Sequence, residues 1–274
     1  MNTIFLKLFS SIDNTVYSTL DNILFIHSGI LKPIKFQQLF GTDASNGFLL
    51  IANSLIFGII LFYVIYFAIS HLIYSHVDSP YQFLFKCVIF ITCANSSLWI
   101  CERFINLVAI LSGAICEIGY SISGTEISFA SLINYINEIL YPNIENFNIF
   151  SIDGILKLVT SFGIVYALLI YAIRYVMCHI MVLLSPFAFL SLINHRTDGF
   201  FKGWLKQFIS LMAIQIIVAI VLVLGFTLDF MADNLLSKLI YFSLIAVIAK
   251  TSFTVKELLE LIHQYSHDTL KKFV

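Results

Sequence analysis

The order of apolar and polar positions divides the chain into long apolar runs separated by short polar stretches. Residues 48–69 run for 22 positions without a charge. At 1.5 Å rise per residue, a helix of that length crosses a hydrocarbon core of about 30 Å. Residues 208–228 form a second run of the same kind. Residues 155–193 are apolar apart from Lys157, Arg174 and His179. This predicts one long helix broken at Pro186, because a proline removes a backbone N–H from the helix interior. Residues 239–249 begin a last, shorter apolar helix that turns amphipathic from Lys250 through Leu258, Leu261, Ile262 and Tyr265.

The remaining segments are mixed. In 81–116, Lys86 stands near the start and Glu102 and Arg103 divide the rest into two apolar pieces, each too short to span comfortably. One long or tilted helix, with Glu102 and Arg103 facing other helices or water, is more economical than a hairpin of two short arms. Residues 1–46 place Ile4, Leu8, Ile12, Val16, Leu20, Ile23 and Leu24 on one helical face. That spacing predicts helices lying at the membrane surface, and 1–12 contains no cleavable signal pattern. Residues 117–153 carry five acidic side chains and no Lys or Arg, which predicts an extramembrane loop. Within it Ile127, Leu132, Ile133, Ile136, Ile139 and Leu140 recur at helical spacing. They predict a short amphipathic helix on the bilayer or on a neighbouring subunit, ended by Pro142.

Composition supports the same class. The chain is 59% hydrophobic and 11% charged, against about 25% charged in a soluble domain, so too few polar residues exist to cover a water-facing surface. The expected fold is an all-α polytopic helical membrane protein. It has about five transmembrane helices, six if 81–116 crosses twice, plus amphipathic surface helices. Its divisions are an amphipathic region at 1–46, a transmembrane domain at 47–255 containing the polar loop 117–153, and an amphipathic tail at 256–274. A net charge of −1 carries no nucleic-acid footprint. Five cysteines without a CxxC pair read as buried fillers rather than disulfides or a metal site.

Loops rich in Lys and Arg face the cytoplasm, and residues 196–206 with the C-terminal tail contrast most sharply with 117–153. The C-terminus is therefore expected in the cytoplasm. Counting back five spans puts the N-terminus outside. Lys7, Lys32 and Lys35 favour the opposite side, which six spans with both termini inside would accommodate.

A charge at bilayer depth costs at least about 2.5–3.5 kcal/mol, so Glu102, Arg103 and Arg174 are the first functional candidates. They either line a hydrophilic conduit or subunit interface, or Glu102 neutralises Arg174 or Arg103 and fixes helix packing. His179 follows Cys178 directly, and adjacent helical residues diverge by about 100°, so a packed or hydrogen-bonded histidine is the better reading than a metal ligand. Asn95, Ser96, Ser97 and Gln215 are candidates for interhelical hydrogen bonds. No HExxH, P-loop, GxSxG or paired-carboxylate motif occurs, so neither an enzyme nor a cofactor or metal is expected. Glu102 and His179 would be the only suspects for intramembrane catalysis.

The stretch 174–226 resembles the TrbL-like polytopic inner-membrane subunits of conjugation and type IV secretion systems. It combines an intramembrane Arg174, an aliphatic run ending in Ser185, Pro186 and Ala188, and a short basic loop holding Arg196, Lys202 and Lys206. Trp204 opens the next span. Trp204 also has the amphipathic ring expected at the headgroup level. The resemblance implies a multi-pass subunit of the bacterial cell membrane that oligomerises and joins secretion ATPases and envelope proteins. It also implies transient contact with the transferred DNA or protein, and no enzymatic activity. A small-solute or ion transporter is the alternative, and it would normally show matched broken helices, of which Pro186 supplies one. A holin-like or toxin-immunity protein has a compatible composition.

Overall fold

A computed structural model describes residues 20–41, 47–72, 80–140, 152–193, 197–227, 239–251 and 255. Among these the chain is helical throughout, with no strand. The helices are α1 (Ile34–Phe40), α2 (Phe48–Leu72), α3 (Pro80–Asn95), α4 (Ser97–Ser123), α5 (Phe129–Leu140), α6 (Ile152–Leu190), α7 (Asp198–Thr227) and α8 (Leu239–Thr251). A helical turn over 20–24 and two short 3-10 helices, Ser28–Leu31 and Ser191–Ile193, complete the elements. The protein is an all-α helical membrane protein. Four stretches, Phe48–Ile69, Ser97–Ser123, Gly154–Ile193 and Asp198–Thr227, are long and apolar enough to cross a bilayer. The apolar helices Tyr81–Asn95 and Leu239–Thr251 are shorter.

Local chemistry sets the helix ends. Pro33 pre-sets the backbone ahead of α1, and Gly41 at φ 101° closes it in the left-handed region, its N–H reaching the Gln37 carbonyl at 2.9 Å. Ser128 caps α5 by accepting the Ser131 N–H at 3.0 Å. Asp198 lies in the first turn of α7, where the helix dipole favours an anion, and it pairs with Lys202 at 2.9 Å.

The single helix expected over 81–116 is interrupted at Ser96 and runs on to Ser123, past Glu117. Ser96 N–H bonds the Thr92 carbonyl and Ile100 N–H bonds the Ser96 carbonyl, both at 3.0 Å, so the helical pattern resumes after one residue. The side chains of Thr92 and Asn95 bond the carbonyls of Val88 and Ile91, four residues back, in the pattern that bends helices.

The chain forms two compact units. The first comprises 1–26, 107–176 and 210–274. Its core joins Leu20 and Leu24 to Phe129, Leu132, Ile133 and Ile136 of α5, Tyr171 of α6, Val218 and Leu222 of α7, and Tyr241 and Ile245 of α8. The apolar stripe of α5 is therefore taken up by the protein's own core, and not by the bilayer or a neighbour as its periodicity suggested. The same holds for Leu20 and Leu24, which are fully buried, whereas Ile4, Leu8, Ile12 and Val16 lie outside the described residues. Gly119 permits close contact between α4 and α7, because a Cβ there would meet Val223 Cγ2 at 2.6 Å.

The second unit comprises 27–106 and 177–209. Ala52, Ile56, Cys87, Ala94, Leu190 and Ile193 form its small core. In α2 most apolar side chains point outward, Phe57 at 76% and Phe62 at 72% exposure, as a helix sheathed in lipid requires.

Candidate functional site

In the first unit the polar side chains of three long helices converge on the backbone of residues 24–26. Arg174, on the buried face of α6 that also carries Ile164, Ala167 and Tyr171, is 2% exposed. Its Nε donates to the Leu211 carbonyl at 2.9 Å, Nη1 to the Leu24 carbonyl at 2.9 Å, and Nη2 to Gln215 Oε1 at 3.4 Å. Gln215 Oε1 also accepts the Ile26 N–H at 3.0 Å, and Gln215 Nε2 donates to Ser112 Oγ of α4 at 2.9 Å. A guanidinium suits this position because its planar fork reaches acceptors in several directions at once. Asp21 anchors the start of the same segment, its two carboxylate oxygens accepting the N–H groups of Phe129 and Ala130 at 2.8 and 3.2 Å. The first turn of α5 is thus capped by a side chain about a hundred positions away in sequence. Tyr171 adds a link from α6 to α8, its hydroxyl donating to the Ile248 carbonyl at 2.7 Å.

The second unit holds a node built around Pro186, which is buried inside α6. Pro186 has no N–H for the Val182 carbonyl four residues back, and Ser185 supplies the missing donor, its hydroxyl reaching that carbonyl at 2.6 Å. The neighbouring Met181 carbonyl accepts the Trp204 indole N–H at 2.8 Å. Trp204 is 6% exposed and stacks on Phe208 at 5.3 Å and 7°. It therefore serves as an internal brace between α7 and α6. His179 lies within 3.2 Å of the Ile30 carbonyl through Nε2, and meets the Phe36 ring edge-on at 5.0 Å.

Of the charged candidates, Glu102 is half-buried and Arg103 is exposed, its guanidinium 5.5 Å from the centre of the Trp99 ring. Lys202 is exposed and paired with Asp198, and Lys206 is half-buried. Arg196 lies outside the described residues. The structure thus brings Arg174 and Gln215 together, and Pro186 with Trp204, while Glu102, Arg103, Lys202 and Lys206 belong to neither node. Sequence reasoning missed Ser112, Asp21 and the backbone of Leu24 and Ile26. A serine within an apolar helix, or an aspartate ahead of one, carries no signal of its partner. A further polar pair sits beside the Ser96 break, where the carboxamides of Asn53 and Asn95 bond each other at 3.2 and 3.4 Å.

Comparison with known protein families, curated proteins and solved structures finds no match to this chain.

Proposed function

We propose that the protein is a channel or scaffold subunit of a conjugative, type IV secretion-like machine that moves DNA or protein across a bacterial cell membrane. The reading rests on the TrbL-like pattern at 174–226. The observation that carries it is that three elements of the pattern have structural roles: Arg174 binds three oxygens, Ser185 serves the carbonyl that Pro186 orphans within α6, and Trp204 braces α6 against α7. In this reading the subunit is not an enzyme. It oligomerises with itself and with secretion ATPases and envelope proteins, and its C-terminus is cytoplasmic, as the basic residues after 196 favour.

The test is gentle detergent extraction of the tagged protein from its native host, with native mass determination and identification of the co-purifying chains. Recovery with secretion ATPases and envelope subunits supports the machine. A lone monomer or dimer that drives coupled solute uptake in proteoliposomes replaces it with the transporter reading.

A further inference from the structure

We propose that the break between α3 and α4 is a binding site for the headgroup phosphate of an anionic phospholipid, with Ser96, Trp99 and Arg103 as its donors. An open cavity of about 500 Å³ lies at the break, lined by Thr92, Cys93, Asn95, Ser96, Trp99 and Ile100. Thr92, Ser96, Trp99 and Arg103 follow one another at spacings of four, three and four, so they share one helical face, and all four are exposed. Trp99 is 58% exposed, and the Arg103 guanidinium lies over its ring at 5.5 Å. Helical side chains lean toward the helix N-terminus, which carries the guanidinium back over the preceding turn and toward the break.

The hydrogen bonds decide what the cavity can take. Thr92 spends its hydroxyl proton on the Val88 carbonyl, and Asn95 spends its amide protons on the Ile91 carbonyl and Asn53. The Ser96 hydroxyl, the Trp99 indole N–H and the Arg103 guanidinium bond no protein acceptor among the described residues. Glu102 is half-buried and diverges from the exposed Arg103 by about 100° around the helix. Donors gathered around one positive charge, with no carboxylate among them, suit an oxyanion.

Both spans that meet here put the break near a membrane surface. Ser97 opens the span Ser97–Ser123, while Asn53, bonded to Asn95, stands about 8 Å along the helix from the start of the span Phe48–Ile69. The 27 residues from Ser97 cover about 40 Å, the thickness of a bilayer with its headgroups, so the first turns lie at the headgroup boundary. Lipid phosphates occupy that boundary, tryptophan rings favour it, and an arginine reaches it along its flexible stem. A second copy of the chain would bring the same cation against Arg103, and a zwitterionic headgroup brings a cation of its own. A headgroup of net negative charge brings none. This site stands whether or not the protein belongs to a secretion machine.

Quenching of Trp99 by lipid tests the site. The Trp204→Phe chain keeps Trp99 as its one tryptophan. It is reconstituted into phosphatidylcholine bilayers holding the same small mole fraction of either phosphatidylglycerol or phosphatidylcholine brominated near the acyl carbonyls. Phosphatidylglycerol is expected to associate about fivefold more tightly than phosphatidylcholine, the effect of one arginine at an anionic surface. Arg103→Gln is expected to abolish that preference, and Lys202→Gln, which removes another exposed cation, to leave it. Equal quenching by the two lipids overturns the proposal, as does weak quenching by both, the mark of a face covered by protein. A loss in the Lys202 variant as large as in the Arg103 variant overturns it too, since diffuse surface charge would then suffice. If Trp204→Phe does not fold, the wild type gives the same reading, because the buried Trp204 adds a constant background.

Discussion

The Ser185 hydroxyl reaches the Val182 carbonyl at 2.6 Å, and that carbonyl is the one Pro186 leaves without its helical N–H. The serine thus compensates for the proline that follows it, and the two are energetically coupled. Ser185→Ala in the wild-type background is expected to cost about 1–2 kcal/mol, the penalty for orphaning a buried acceptor. In a Pro186→Ala background, where residue 186 regains its N–H, the same change is expected to be near neutral. A double-mutant cycle read from unfolding in mixed detergent micelles checks this, and additive losses would show that Ser185 does not serve the proline.

Trp204 combines a stacked ring with one donated hydrogen bond, and the two can be separated. Trp204→Phe keeps an aromatic ring against Phe208 and loses only the N–H to Met181, for an expected cost of about 1 kcal/mol. Trp204→Ala loses both and is expected to cost about 3–5 kcal/mol. Equal losses for the two variants, measured by the same unfolding, would mean that the ring contributes nothing to the brace.

Arg174 binds oxygens lying in different directions, which a point charge cannot reproduce. Arg174→Lys is expected to destabilise the first unit by about 1–2 kcal/mol, and Arg174→Leu by about 2–4 kcal/mol, as the carbonyls of Leu24 and Leu211 lose a charged donor. In the native host, Arg174→Leu is further expected to weaken assembly or transfer. Normal assembly together with normal transfer would remove Arg174 from the proposed machinery.

The Asn53 and Asn95 carboxamides tie α2 to the end of α3. Interhelical hydrogen bonds in membranes are worth about 0.6 kcal/mol on average and reach about 1.7 kcal/mol. Asn53→Leu combined with Asn95→Leu is expected to show a coupling of that size. A coupling of zero would mark the pair as two separately solvated amides.

Legibility followed the dimension of the information. The spans at 48–69 and 208–228 could be read from the chain because crossing a bilayer demands a continuous apolar length, which is a property of consecutive residues. Pro186 as an interruption, and Arg174 as a residue needing partners, could be read for the same reason: a missing N–H and a buried charge are costs borne by one residue wherever it lies. The Ser96 break was less legible, since serine and threonine bend a helix only when their hydroxyls turn back onto it.

By itself the sequence determined the all-α membrane class, the long helices and the side chains that could not be left alone in lipid. Only the tertiary structure decided who answers them. Arg174 is met by backbone oxygens and Gln215, the indole of Trp204 turns inward to Met181, and the amphipathic face of α5 closes the protein's own core. The physical reason is that a hydrogen bond or a packed face depends on proximity in space between positions far apart in the chain. Periodicity reveals that a helix has an apolar face, and carries no trace of what will cover it.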